Sequence, residues 1–221
     1  MPDHDEYVRQ LEAIIAKFLE PLKGVPYSIA IKALTGCEVL KFDPTDKMNT
    51  ELLNLLESAA QIAGDEAYRE GIFTRRPNEA GNRMEAFVLS ALKKVGLSAR
   101  KPHTRSGRVK VAGYPDIEIT DTYGRVVYLD CKTYSTTTKT QTFRTFFFSP
   151  SKDPKITKDA FHMLLSFELT REQREGKSAF VPVSWQLYTL ENLQVQVKHE
   201  FNASNKDLYK PEFLLRNGKI G

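Results

Sequence analysis

Apolar residues recur along this chain with two distinct periods, and the change from one to the other marks its organisation. Residues 5–22 place Tyr7, Leu11, Ile14, Ile15, Phe18 and Leu22 at helical spacing, and Pro21, Gly24 and Pro26 halt the pattern. Residues 49–69 predict a second long helix. Residues 79–95 predict a third, with Met84, Val88, Ala91 and Val95 on one face and Gly96 as its stop. The period then shortens to two. Residues 113–120 and 125–132 alternate as strands, and the turn-like Asp121, Thr122, Tyr123 and Gly124 between them predict an antiparallel hairpin. Residues 161–169 satisfy neither period cleanly and fit strand or helix. Residues 179–190 and 193–201 read as two more strands, the latter alternating Leu193, Val195 and Val197 against Gln194, Gln196 and Lys198. Pro182 puts the 179–190 strand at a sheet edge or makes it irregular, because proline cannot donate to a ladder. The expectation is an α/β chain with a mixed β-sheet flanked by helices. It forms one domain over residues 1–221, with a mainly helical N-terminal part (1–78) followed by the core (79–221).

The hairpin carries the candidate chemistry. Strand alternation puts Tyr114, Asp116 and Glu118 on one face and Pro115, Ile117 and Ile119 on the other. In the next strand Val127, Leu129 and Cys131 make the apolar face, while Asp130 and Lys132 share the opposite one. Two adjacent strands thus deliver two carboxylates and one ammonium to a common place. Acids clustered in this way repel one another unless a cation sits between them, which is the setting of a hard, oxygen-ligated divalent ion such as Mg²⁺. Glu118, on the face of Asp116, reads as an exposed strand residue.

Pro115 and Asp116, then a spacing of fourteen, then Asp130, Cys131 and Lys132 resemble the signature of the PD-(D/E)XK nucleases, the family that includes most type II restriction endonucleases. The second carboxylate is Asp where that family more often has Glu. The resemblance implies a restriction-endonuclease-like core and Mg²⁺ as cofactor, with Mn²⁺ able to substitute. It also implies metal ligation by Asp116 and Asp130, and a Lys132 that orients or deprotonates the attacking water. Many members carry a glutamate on the helix before the first catalytic strand, and Glu85 looks like that residue, a third catalytic and metal-facing carboxylate.

Charge adds the substrate. The total, 32 Lys and Arg against 28 Asp and Glu, is only +4, so distribution matters more than sum. Arg100, Lys101, Arg105, Arg108 and Lys110 fall in an eleven-residue run without an acid, and Lys139, Gln141, Arg144, Lys152, Lys155 and Lys158 follow the catalytic strand against a single acid, Asp153. These segments are candidate double-stranded DNA contacts, with Arg105, Arg108, Lys139, Gln141, Arg144 and Lys152 singled out. Met48, in a polar stretch before the second helix, is a candidate wedge between base steps or a helix-start staple.

Cys37 and Cys131 are too few for a four-ligand zinc site and read as buried thiols. His4, His103, His162 and His199 have no metal-ligand spacing. The acidic N-terminus lacks the apolar core of a signal peptide, and no apolar run approaches the roughly 20 residues that span a bilayer. Together with the resemblance, these features lead to the expectation of a cytoplasmic Mg²⁺-dependent endodeoxyribonuclease, a type II restriction enzyme cutting a short duplex site, prokaryotic on that reading and a homodimer if the site is palindromic. A junction- or damage-directed nuclease of the same fold and a non-cleaving DNA-binding protein are the alternatives.

Overall fold

The hairpin expected from residues 113–132 is the centre of the sheet in the computed structural model. The described residues are 4–20, 22–74, 77–110, 112–135, 146–174, 176–197, 204, 206 and 209–216. Strand β3 (Ile117–Thr120) runs antiparallel to β4 (Val126–Tyr134), with Ile117 opposite Leu129 and Glu118 opposite Tyr128. Asp121 closes the turn by accepting from the backbone N–H groups of Tyr123 and Arg125, and Gly124 takes the positive φ of 77° that the turn requires. On one side of the hairpin β2 (Ser98–Arg100) pairs with β3. On the other, β5 (Phe161–Arg174) runs parallel to β4 and antiparallel to β6 (Lys177–Thr189), giving the order β2-β3-β4-β5-β6. The ambiguous stretch at 161–169 is therefore strand. Its weak alternation follows from position, because a strand parallel to its neighbour and interior to the sheet is buried on both faces.

Pro182 marks an edge, as expected. β6 is the last strand of the sheet, and the register slips between Glu168 and Leu169, where Ser184 and Pro182 are the successive partners. The slip leaves Val183 without an opposite residue, so the missing proline N–H falls at an irregularity. The other expected strand, 193–201, is corrected. Only Gln194–Val195 (β7) is strand, paired with β1 (Val25–Pro26) outside the main sheet, and residues 198–201 lie outside the described residues.

Two of the three expected helices cover one face of this sheet. Helix α3 (Lys47–Glu70) starts where Asp46 accepts from the N–H of Asn49, and α4 (Pro77–Lys94) ends before Gly96, whose φ is 88°. Their apolar stripes, Leu52, Leu56, Ala59, Ala63 and Ala67 from α3 and Met84, Val88 and Ala91 from α4, join Ile117, Ile119, Val127, Leu129, Cys131, Met163, Leu165 and Phe167 in one core. Alanines on α3 bring the helix close to the sheet. Phe167 fills the space they leave, at the ordinary packing distance of 3.6 Å from a methyl placed at Gly64. Every apolar side chain of the hairpin named here is on that face, so parity sends Glu118, Tyr128, Asp130, Lys132 and His162 to the other.

There the short helix α2 (Tyr27–Thr35) turns Tyr27 and Ile31 inward, and both are buried. Tyr27, Tyr114, Tyr128, Phe146, Phe148 and His162 form an aromatic cluster beneath it, in which Tyr27 meets Tyr114, Phe146, Phe148 and His162 edge to face. His162 is 1% exposed, and burial drives its pKa down to about 3, so it is a neutral core residue. Both cysteines are buried and unpaired, as expected.

The contacts divide the chain into two units, residues 26–194 and the combined segments 1–25 and 195–221. The first contains α2–α4, the sheet and the candidate site. The second contains helix α1 (His4–Leu19) and the single turn of 3₁₀ helix Pro211–Phe213. No described helix is long and apolar enough to cross a membrane.

Candidate active site

Asp116 enters from the loop ahead of β3, Asp130 and Lys132 from the same side of β4, and the three converge. Asp116 Oδ2 accepts from the backbone N–H of Cys131 at 2.9 Å, and the Asp116 N–H donates to Leu129 O at 3.2 Å, so the carboxylate is docked on β4 rather than free in solvent. Lys132 Nζ lies 2.5 Å from Asp130 Oδ2 and 4.0 Å from Asp116 Oδ2. Side-chain parity alone places Asp130 and Lys132 together. It takes the hairpin register, Ile117 against Leu129, to bring Asp116 level with them.

Burial sets the electrostatics. Asp130 is 2% exposed, and desolvation, with the neighbouring charge of Asp116, pushes its carboxyl up to about 7 against the opposing pull of Lys132. Its Oδ2 is buried and has no well-formed hydrogen bond besides the ion pair. For Lys132 burial acts downward, but Asp130 and then Asp116 outweigh it and hold the ammonium above its ordinary range. Burial also pushes the Cys131 thiol up, helped by the negative charges of Asp116, Glu85 and Asp130. That shift favours the protonated thiol over the thiolate.

One buried carboxylate with an oxygen lacking a good donor, Asp130, beside a partly buried one, Asp116, suits a hard cation. Among the described residues no three His, Cys, Asp or Glu side chains converge to hold a metal by themselves. A two-carboxylate set still fits Mg²⁺, which dehydrates reluctantly and keeps waters or substrate phosphates as its remaining ligands. Glu85 does not join the pair directly, because its carboxylate binds the Lys101 ammonium. It is nearby all the same. One turn before Glu85, α4 crosses β4 so closely that a methyl at Gly81 would meet Thr133 Oγ1 at 3.5 Å, and Glu85 is among the charges acting on Cys131.

Glu118 corrects its expectation as an exposed residue. It is 2% exposed and bonds Arg100 Nη2 at 2.9 Å and Lys158 Nζ at 3.2 Å, so it takes two of the cations expected to serve DNA. A buried carboxylate requires such partners, and alternation could not show that its face is covered. Lys155 was hidden in the same way within a basic run. It is 5% exposed, and its ammonium reaches Gly113 O and Pro115 O at 2.5 and 3.0 Å.

The candidate DNA contacts fall into three groups. Lys139, Gln141 and Arg144 lie outside the described residues. Arg105 and Arg108 belong to a loop fastened at several points, with Arg105 Nη2 donating to Thr35 O at 2.6 Å, Arg108 Nη2 to Asp153 Oδ2 at 2.9 Å, and Ser106 N and Oγ to Asp153 at 2.8 and 2.7 Å. Asp153, the lone acid of its run, thus ties the two basic segments together, and these donors hold its carboxyl well below the usual range. Lys152 beside it is exposed. Met48 lies in the first turn of α3 instead of at a loop tip. Its carbonyl accepts from Arg125 and its side chain is 40% exposed.

This division predicts different salt responses. Lys152→Ala should shallow the dependence of log K on log salt by about 0.9, the value for one lost phosphate contact. Arg105→Ala should leave that slope within error and lower unfolding stability by about 1 kcal/mol, through its lost bond to Thr35. Fluorescence anisotropy across a salt series and a denaturant melt measure the two.

Comparison with known proteins gives the family. The chain is 33% identical to the type II restriction enzyme MjaV of Methanocaldococcus jannaschii, over 96% of this chain and 97% of that one. A crystal structure of the tetrameric restriction endonuclease SfiI bound to cognate DNA aligns with 69% of this chain and 67% of its own, at 16% identity and a TM-score of 0.41. Residues 21–212, which hold the docked Asp116, Asp130 and Lys132, match the type II restriction enzyme MjaV family, and the chain belongs to that family.

Proposed function

We propose that this DNA nuclease hydrolyses phosphodiester bonds at a short duplex sequence, with Mg²⁺ held by Asp116 and Asp130. The observation that carries the reading is the convergence of those carboxylates and Lys132 across one β3–β4 register in a chain of a type II restriction enzyme family. A bound divalent ion would supply positive charge against the nonbridging phosphate oxygen and lower the pKa of a coordinated water. The protein's own groups do the rest. Asp116 is anchored by its bond to the Cys131 amide, and the same oxygen lies 4.0 Å from the Lys132 ammonium. Lys132 stays protonated beside two acids and donates hydrogen bonds, which suits positioning the attacking water or a phosphate oxygen better than removing a proton. Glu85 joins as an outer carboxylate when Lys101 turns to phosphate. Two copies related by a two-fold axis would cut both strands of a palindromic site.

A plasmid digest tests the reading. Mg²⁺ and Mn²⁺ should each give discrete fragments, whereas Ca²⁺ or EDTA should give binding without cleavage. A smear, cuts confined to branched DNA, or no cleavage with any divalent ion would overturn it.

A further inference from the structure

The first proposed metal carboxylate belongs to a loop, since β3 begins only at Ile117. A carboxylate one residue outside regular structure is usually mobile, yet this one is docked on β4 within hydrogen-bond distance. Lys155 explains how. Its Nζ lies 2.5 Å from the carbonyl of Gly113 and 3.0 Å from that of Pro115, so one ammonium clasps the chain on both sides of Tyr114 and immediately ahead of Asp116. The Tyr114 side chain is secured separately. Its hydroxyl bonds His162 Nδ1 at 2.7 Å, and the two rings stack at 21°.

Burying an ammonium is costly, and two neutral carbonyls offset only part of that cost. The position is nonetheless firmly built. Pro154 and Ile156 on either side of Lys155 are buried, as is Lys155 itself. Asp116 and Glu85, both assigned above to the cleavage site, are among the negative charges that reach the ammonium, while Lys101 and Lys110 oppose it.

We propose that Lys155 is the positioning residue of Asp116, clamping the 113–115 backbone so that the carboxylate meets the Cys131 amide and faces Asp130. The proposal rests on the reading of Asp116 as the metal-holding carboxylate, and it concerns a lysine distinct from Lys132. The Cys131 N–H, bonded to Asp116 Oδ2, reports the carboxylate's position without any need for catalysis.

The test compares Lys155→Met with the parent and with Asp116→Asn. In Lys155→Met the Cys131 amide resonance should shift and its hydrogen exchange accelerate by about tenfold, with Val127 and Met163 keeping their protection. Turnover should fall roughly 10²-fold, as for a carboxylate displaced by about 1 Å, with KM for DNA within about twofold. Unchanged Cys131 exchange overturns the proposal whatever the turnover, as does parental turnover alongside an inactive Asp116→Asn. Parental cleavage by Asp116→Asn instead overturns the site reading, and the Cys131 amide still decides the clamp. If Lys155→Met melts without a cooperative transition, Lys155→Gln, which keeps an N–H donor without the charge, is judged by the same criteria.

Discussion

Asp116→Ala and Asp130→Ala should each reduce plasmid cleavage by about 10³-fold or more, roughly 4 kcal/mol of transition-state stabilisation, while leaving DNA affinity within a few-fold of the parent. The two effects separate because, on the proposed reading, the carboxylates act on the reacting phosphate through a cation. Removing negative charge from a DNA-binding surface does not weaken its attraction for phosphates. Lys132→Ala should lose a similar factor in turnover, but its binding should weaken slightly, since one ammonium is lost and Asp130 is left buried without its partner. The double variant Asp116→Ala, Asp130→Ala should be little worse than either single, as expected of groups that serve one function together. Gel-based cleavage rates and anisotropy in Ca²⁺ measure the two quantities. Parental cleavage by Asp130→Ala would remove the metal assignment.

The second large effect concerns stability and pH. The buried Asp130 carboxyl titrates near 7, whereas an unfolded aspartate titrates near 4. Between those values the folded protein binds more protons than the unfolded chain, so this group makes the metal-free protein less stable as pH rises from about 4 to about 7, with the loss complete above. A shift of this size corresponds to at most about 4 kcal/mol. Asp130→Asn, which mimics the protonated side chain, should therefore raise the melting temperature in EDTA at pH 8 by about 5 °C and leave it nearly unchanged at pH 4.5. A divalent ion should reproduce part of that gain in the parent at pH 8, because a ligand that binds only the folded state stabilises it. Melts of both proteins at the two pH values check the sign. An Asp130→Asn protein that is less stable than the parent at pH 8 would mean that the Lys132 ion pair outweighs burial.

The hairpin at 113–132 was legible because its alternation, its turn residues and its carboxylate spacing all agree, and such agreement between levels is uncommon by chance. The same alternation left Glu118 looking exposed when it is buried. Parity tells which face a side chain takes but not what covers that face, and here Arg100 and Lys158 close over it. Lys155 differed from its basic run in a related way. A cation in such a run looks like a phosphate ligand until the fold buries it against carbonyls, as Gly113 and Pro115 do here, whereas Arg105 and Arg108 stay exposed beside Thr35 and Asp153.

Local order thus determined the helices α3 and α4, the β3–β4 pair, the apolar face of α4 from Met84 to Ala91, and the candidacy of Asp116, Asp130 and Lys132, because periodicity and turn chemistry act over a few neighbouring positions. Tertiary structure alone decided that 161–174 is a strand parallel to β4, that Asp130 is desolvated while Asp116 is held by an amide fifteen residues away, and that Lys155 spans 40 residues to Pro115. Those outcomes depend on which distant surfaces exclude water and which polar groups must then find partners, and neither is encoded within a window of sequence.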